Sequence, residues 1–260
     1  MSNSLIKANI SISLGQYNSA IKYFKAYMEE FPHIPLSKEV FYLLSEAYNH
    51  LLNDKRTCIR KLKAYMESLQ DSDQERIVAI ASLLDETKND LISICTEVVN
   101  IIDNSLLNKV EGTREKVLIY NMKGVYSRYM WETNKSNSTC KEVTKAYYEA
   151  FSLCQWNFKP TDPYLLQIAL NYTTHLKNTN DTNKAIVILK KVIEDTQKDD
   201  LKNYDFLKKL YVELFLKYLN ECLVQFQKIH NQKVMQIIES IENHLPQESL
   251  FDDVITRRQG

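Results

Sequence analysis

The stretch Phe41-Tyr-Leu-Leu-Ser-Glu-Ala-Tyr48, which continues through Lys55-Arg-Thr-Cys-Ile-Arg60 to Leu69, carries apolar residues at helical spacing. Most of these apolar positions recur three, four or seven residues apart, as one face of an α-helix requires. A second series of the same kind runs from Ile77 to Ile101, after a polar turn. The two series predict two helices of about thirty residues each.

The sequence on both sides of this pair predicts further helices with short polar connectors. Two short helices come first, and five more follow the long pair, so that the predicted helices cover residues 2–14, 17–31, 113–134, 139–158, 163–180, 182–200 and 203–226. Because short connectors favour antiparallel neighbours, we expect an all-α protein of about nine antiparallel helices.

The composition excludes several classes of protein. Only 4 glycines and 5 prolines occur in 260 residues, too few for a P-loop, a Rossmann fingerprint or a sheet with many tight turns. The formal net charge is zero, which gives no overall attraction to nucleic acid or an anionic membrane. The five cysteines and five histidines are scattered, so no metal and no cofactor is expected. A secretory leader and a long apolar stretch are both lacking, which favours a cytoplasmic protein.

Four segments in register resemble the 14-3-3 family. They are Phe41–Tyr48 with its continuation to Arg60, Tyr120-Asn-Met-Lys-Gly-Val-Tyr-Ser-Arg-Tyr129, Ala146-Tyr-Tyr-Glu-Ala-Phe151, and Lys159–Pro163 followed by Ile168-Ala-Leu-Asn171. The resemblance spans roughly residues 5 to 223. It implies a nine-helix, usually dimeric adaptor whose concave groove binds phosphoserine or phosphothreonine peptides in an extended conformation.

The resemblance also assigns roles to individual residues. Arg56, Arg128 and Tyr129 match the phosphate ligands, and Arg60 matches a supporting base. The matching positions of the peptide groove are Asn49, Asn121, Lys123, Leu170, Asn171, Asn178, Leu210, Leu214 and Tyr218. The chemistry is consistent with this, because guanidinium groups and a phenol hydroxyl suit a phosphate that carries about −1.5 to −2 charges.

Several groove positions depart from the family pattern. Asn49 and Asn121 stand where the family has lysines, and Asn178 stands where a glutamate is expected. Tyr218 replaces a peptide-binding asparagine, and Cys222 replaces a tryptophan. Because the groove has lost positive charge, we expect it to bind phosphopeptides with weakened affinity.

The resemblance implies a homodimer through the first helices. Ile10, Leu14, Leu62 and Tyr65 keep an apolar patch at the matching places, although most of the family's flanking ion pairs are lost. The alternative is that Ile10 and Leu14 pack within the core of their own subunit.

The C-terminal part is longer than is typical of the family. We divide the chain into a helical domain over residues 1–226 and an extension over residues 227–260, in which Val234, Ile237, Ile238 and Ile241 predict an extra amphipathic helix. Beyond Pro246 follows an acidic tail. Asp252 or Asp253 could mimic a phosphate in the chain's own groove, and a merely frayed tail is the alternative.

Two functions remain open at this stage. The first is a non-enzymatic adaptor for phosphorylated protein segments. The second is a diverged helical scaffold whose groove is self-occupied or no longer accepts phosphopeptides. An enzyme is not expected, because no arrangement of nucleophile, base and acid can be recognised.

Overall fold

The computed structural model describes residues 2–34, 37–70, 72–199, 201–202 and 204–244. In these ranges there are nine long helices and no strand: α1 (Asn3–Ser13), α2 (Tyr17–Glu30), α3 (Lys38–Glu67), α4 (Gln74–Ile101), α5 (Thr113–Asn134), α6 (Asn137–Asn157), α7 (Pro163–Asn178), α8 (Thr182–Lys198) and α9 (Phe206–His244). Each long helix packs against the next one along the chain, from α1 on α2 to α8 on α9. The all-α prediction is confirmed.

Local residue choice explains where several helices begin and end. The Ser37 hydroxyl accepts a hydrogen bond from the backbone N–H of Val40 and caps α3. The Asp162 carboxylate does the same for Tyr164 at the start of α7, where Pro163 occupies the first helical position. At the other end of α5, Lys135 adopts a left-handed conformation with φ of 54°, which stops the helix.

Two elements are longer than the sequence pattern predicted. After α4 the chain continues through a π-helical turn, Ile102–Leu106, and a short helical turn, Leu107–Lys109. The last helix does not end near residue 226, and the extra C-terminal helix is its direct continuation to His244. Nothing in the sequence interrupts it, because no glycine or proline occurs between Phe206 and His244.

The core consists of two apolar clusters that share α5. One cluster contains buried side chains of α1 to α5, and Tyr126 and Tyr129 of α5 belong to it. The other contains side chains of α5 to α9, and Val117 and Trp131 represent α5 there. Val125 packs against both clusters. Helix α5 is therefore the central helix of the fold.

Helices α3, α5 and α7 run in the same direction. In each neighbouring pair, a residue later in one helix contacts a residue later in the other. From α3 to α5, Ser45 lies against Met122 and Asn49 against Tyr126. The corresponding pairs between α5 and α7 are Arg114 with Asp162 and Asn121 with Asn171. Helix α9 packs on α7 and α8. We call the surface that α3, α5, α7 and α9 form together the groove.

Candidate functional site

The centre of the groove is a cluster of two arginines and one tyrosine. The guanidinium carbon of Arg56 lies 4.3 Å from the centroid of the Tyr129 ring, and that of Arg128 lies 5.0 Å from it. A cation over an aromatic face is attracted by the ring quadrupole, so the ring holds both cations in one place. The three residues that the sequence analysis assigned to phosphate therefore lie together.

Only one of the two arginines is neutralised by a carboxylate of the described residues. Nη1 of Arg128 donates to Oε1 of Glu132 at 3.3 Å, as the spacing of four residues allows. Arg56 makes a long hydrogen bond of 3.4 Å to the amide oxygen of Asn53 and has no ion pair within the described chain. The cluster therefore keeps an excess of positive charge.

The side of Arg128 that faces the core is closely packed. Its Nε is buried without a hydrogen-bond partner among the described residues, and so is the hydroxyl of Tyr147. Burial opposes the charge of Arg128, but the nearby Tyr147 and Glu132 outweigh that effect and the pKa of the guanidinium is raised. Arg128 is therefore a permanent cation on a fixed support.

Gly124 makes this packing possible. A Cβ atom at position 124 would lie 2.7 Å from ring carbons of Tyr147, well inside van der Waals contact. Helix α6 can approach α5 closely because this position carries no side chain. The close approach brings Tyr147 under Arg128.

Amide side chains line the groove where lysines were expected from the family pattern. The amide oxygen of Asn49 accepts a hydrogen bond from the Tyr126 hydroxyl at 3.1 Å. The amide oxygen of Asn121 accepts one from Nδ2 of Asn171, also at 3.1 Å. Both asparagines are thus bonded within the chain and carry no charge.

The opposite wall of the groove is apolar. Leu210, Leu214 and Tyr218 follow one another on a single face of α9 and are exposed. Leu170 of α7 is half-buried in the second core cluster. An exposed apolar row beside a positive cluster suits a ligand with both an anion and apolar side chains.

Three further residues assigned from the sequence are exposed or bonded outside the cluster: Lys123, Arg60 and Asn178. Lys123 points away from the groove, because two helical positions from Asn121 correspond to about half a turn. Its ammonium group bonds both carboxylate oxygens of Asp103, at 2.6 and 2.7 Å. Arg60 is exposed and bonds Thr57 at 3.1 Å, and Asn178 is exposed at the end of α7. The Lys123 ammonium group is therefore engaged by Asp103 and not by the cluster.

One contact that joins two walls of the groove was not predicted from the sequence. The hydroxyl groups of Tyr42 on α3 and Tyr164 on α7 lie 2.9 Å apart. A signal was available, because Tyr42 precedes Asn49 by seven residues and Tyr164 precedes Asn171 by the same interval. Residues at this spacing share a helix face.

The four residues assigned to a dimer contact lie at the surface. The exposed fractions of Ile10, Leu14 and Tyr65 are 54%, 66% and 51%, and Leu62 is half-buried. The alternative that Ile10 and Leu14 pack into the core of their own subunit is therefore wrong.

In the described part of the chain, no group of three or more histidine, cysteine, aspartate and glutamate side chains is placed to bind a metal ion. None of the helices over these residues combines the length and apolar composition needed to cross a bilayer. The tail with Asp252 and Asp253 lies outside the described residues.

Comparisons with known proteins agree with this geometry. The chain is 29% identical to the 14-3-3-like protein 2 of Caenorhabditis elegans over 164 residues, which are 62% of this chain and 66% of that protein. It is 27% identical to the 14-3-3 protein theta of Mus musculus over 193 residues, 73% of this chain and 78% of that protein. The match to the worm protein thus spans just under two thirds of its length. A model of the 14-3-3 protein family matches residues 7–227. The chain therefore belongs to the 14-3-3 family, and this membership supports an adaptor role in general.

Proposed function

We propose that this protein is a non-enzymatic, cytoplasmic adaptor that binds phosphoserine or phosphothreonine segments of partner proteins in the groove. The observation that carries the proposal is the stacking of Arg56 and Arg128 on one ring, that of Tyr129, with only one carboxylate of the described residues beside them. A phosphate with about −1.5 to −2 charges complements such a cluster better than any neutral side chain does.

The hydrogen-bonding capacity of the cluster supports the same proposal. A guanidinium group has five N–H donors, and the contact with Glu132 uses one of those of Arg128. Hydrogen bonds between guanidinium and phosphate are charge-assisted and contribute more than neutral ones. Asn171, beside Asn121 on the neighbouring helix, offers an amide to the backbone of an extended ligand.

The same geometry favours an affinity below that of relatives with lysines in the groove. Asn49 and Asn121 supply no charge, and each is already bonded within the chain. A hydrogen bond to a charged group contributes roughly 1.5–3 kcal/mol, so the absence of two lysines is a substantial loss. Phosphate recognition then depends mainly on the two arginines.

A homodimer is part of the proposal. Ile10 of α1 and Leu14, the residue that follows α1, expose a large apolar surface, and Tyr65 exposes another on α3. Asp90 bonds Lys55 of its own chain at 2.6 Å, so this carboxylate is engaged within the subunit. Because exposed ion pairs contribute only about 0–1 kcal/mol, apolar contact would supply most of the dimer's stability.

Occupation of the groove by the chain's own acidic tail is less well supported. Tyr218 is the groove residue nearest the end of α9, and the helix runs on to His244, about 39 Å further at 1.5 Å per residue. Asp253 lies nine residues beyond His244, which even a fully extended chain spans with at most about 32 Å. These carboxylates would reach the groove of their own chain only if the end of α9 unwound. A separate phosphorylated protein is therefore the better candidate ligand.

A paired titration tests the proposed function. A fluorescently labelled peptide with a central phosphoserine and its unphosphorylated form are titrated with the full-length protein at low salt. We expect at least tenfold tighter binding of the phosphorylated form. Equal binding would contradict the proposal and favour a diverged scaffold.

A further inference from the structure

Two rows of groove residues face each other across α5 with the same interval of seven residues. On α3 the row consists of Tyr42, Asn49 and Arg56, and on α7 it consists of Tyr164, Asn171 and Asn178. An interval of seven residues is close to two helical turns, so each row lies along one face of its helix. Tyr42 and Tyr164 therefore stand at one end of the groove, and Arg56 stands further along it.

The two rows are separated at the asparagines and joined at the tyrosines. Asn49 bonds Tyr126 and Asn171 bonds Asn121, so at this level each wall contacts the floor that α5 forms. At the tyrosines the hydroxyl groups bond each other directly, with 2.9 Å between the oxygens. We call this pair the tyrosine clasp. The clasp therefore joins α3 to α7 at this end of the groove.

Tyr164 is held from two sides. The guanidinium carbon of Arg114 lies 5.0 Å from the Tyr164 ring centroid and 4.9 Å from that of Phe158. Arg114 also bonds the Asp162 carboxylate at 2.9 Å, and the same carboxylate accepts the backbone N–H of Tyr164. The ring thus has a fixed position at the start of α7.

The hydroxyl group of Tyr42 is held in its protonated form. The hydrogen bond with Tyr164, together with burial, raises the pKa of Tyr42 to about 12. The hydroxyl of Tyr42 therefore stays protonated over the physiological pH range.

The distance between the clasp and the arginine cluster limits the ligand. Tyr42 and Arg56 are fourteen positions apart on α3, which corresponds to about 21 Å along the helix axis. An extended peptide advances about 3.3–3.6 Å per residue, so about six residues fill this distance. At the other end of the rows Arg60 and Asn178 are both exposed.

We propose that the tyrosine clasp ends the groove, and that the ligands are phosphorylated segments that stop or turn away within about six residues on one side of the phosphoresidue. This inference rests on the proposed function and specifies the class of ligand. Phosphorylation sites near a chain terminus fit the class directly. Sites inside a long extended segment do not.

A length series tests the inference with the full-length protein. Labelled peptides carry one phosphoserine with three flanking residues on each side. Two further peptides are extended to twelve residues on the N-terminal or the C-terminal side by a stiff proline-rich segment, which cannot turn away from the groove. We expect extension on one side to weaken binding at least tenfold and extension on the other side to have little effect. In the Tyr42→Ala variant, the ratio between long and short peptides should return to about one.

Two further variants make the result decisive. Tyr164→Phe removes only the hydroxyl and should also reduce the length penalty, which keeps the test valid if Tyr42→Ala folds poorly. Tyr148→Ala removes an exposed tyrosine of α6 and should keep the full penalty. Equal binding of short and extended phosphopeptides by the wild type would overturn the clasp while leaving phosphate recognition in place. No preference for the short phosphopeptide over its unphosphorylated form would overturn the proposed function and this inference with it.

Discussion

Arg56 stacks on Tyr129, with its guanidinium carbon 4.3 Å from the ring centroid, although the two residues belong to different helices. Arg128 approaches the same ring at 5.0 Å, and Glu132 neutralises only Arg128. Holding two cations together has a Coulombic cost, which an aromatic ring reduces only in part. A bound dianion would remove the rest of that cost. The cluster is therefore better suited to binding an anion than to stabilising the fold.

The first prediction concerns the two arginines. Arg56→Ala and Arg128→Ala should each abolish the preference for phosphorylated over unphosphorylated peptide, because each removes charge-assisted bonds worth roughly 1.5–3 kcal/mol, or about ten- to a hundredfold in affinity. Fluorescence anisotropy with the peptide pair measures the preference. Lys123→Ala is the matched control, since Lys123 is paired with Asp103 on the other side of α5. If Lys123→Ala lowered the preference as much, the cluster would not be the phosphate site.

The second prediction restores a charge to the groove. Asn49→Lys should strengthen phosphopeptide binding about tenfold at low salt, since a charge-assisted contact is worth roughly 1.5–3 kcal/mol and the hydrogen bond to Tyr126 is lost in exchange. The gain should shrink as salt is added, because salt screens exposed charges. Asn183→Lys adds the same charge on the exposed surface of α8 and should leave affinity unchanged. A gain of equal size in both variants would indicate a non-specific effect of net charge.

The third prediction concerns the apolar surface of α1. Sedimentation at micromolar concentration should give a dimer for the wild type and the 30.5 kDa monomer for Leu14→Asp. Because Leu14 is 66% exposed, the substitution should change the free energy of unfolding of the subunit by no more than about 0.5 kcal/mol. Val187→Asp, at an equally exposed position on α8, should remain dimeric. A wild-type protein that sediments only as a monomer would refute the proposed dimer.

The fourth prediction is a loss of stability in acid caused by His175. Burial, reinforced by the nearby charge of Arg128, lowers the pKa of His175 to about 4, below its usual value of 6.5. Between these values the unfolded chain binds the proton and the folded chain does not, so the free energy of unfolding falls as the pH falls. His175 should therefore lower the free energy of unfolding by about 2 kcal/mol at pH 5 relative to pH 7.5.

Urea unfolding of wild type and His175→Phe at the two pH values measures this contribution. The variant should lose about 2 kcal/mol less than the wild type does on acidification. His33→Gln removes an exposed imidazole and should follow the wild type. Identical losses in wild type and His175→Phe would show that His175 titrates normally.

The fifth prediction tests the close approach of α5 and α6. Gly124→Ala should lower the free energy of unfolding by about 1–3 kcal/mol, because the added Cβ would lie 2.7 Å from the Tyr147 ring. Phosphopeptide affinity should fall too, since Tyr147 lies under Arg128. The Cβ atom added in Gly112→Ala would contact only the movable end of the Glu115 side chain. This variant should therefore lose no more than about 1 kcal/mol in free energy of unfolding. If the two variants were equally stable, the contact between Gly124 and Tyr147 would not limit the packing.

Features of the chain that depend on a few neighbouring residues could be predicted from the sequence. The apolar series beginning at Phe41 predicted α3, and the predicted range 163–180 gave the start of α7 at Pro163, because helical spacing and helix-start signals are local properties. The continuation of α9 past residue 226 was missed although it is also local. The family pattern suggested a boundary where the sequence itself contains no glycine or proline.

Which side chains meet across helices was decided by the tertiary structure alone. Lys123 and Asn121 are two positions apart, yet one bonds Asp103 and the other bonds Asn171, because opposite faces of α5 pack against different helices. The clasp between Tyr42 and Tyr164 likewise requires α3 and α7 to stand on either side of α5 at matching height. The sequence by itself determined the helices and the residues on each of their faces, since both follow from a period of 3.6 residues. The tertiary structure decided which faces oppose each other, because packing of the two core clusters sets the position and rotation of each helix.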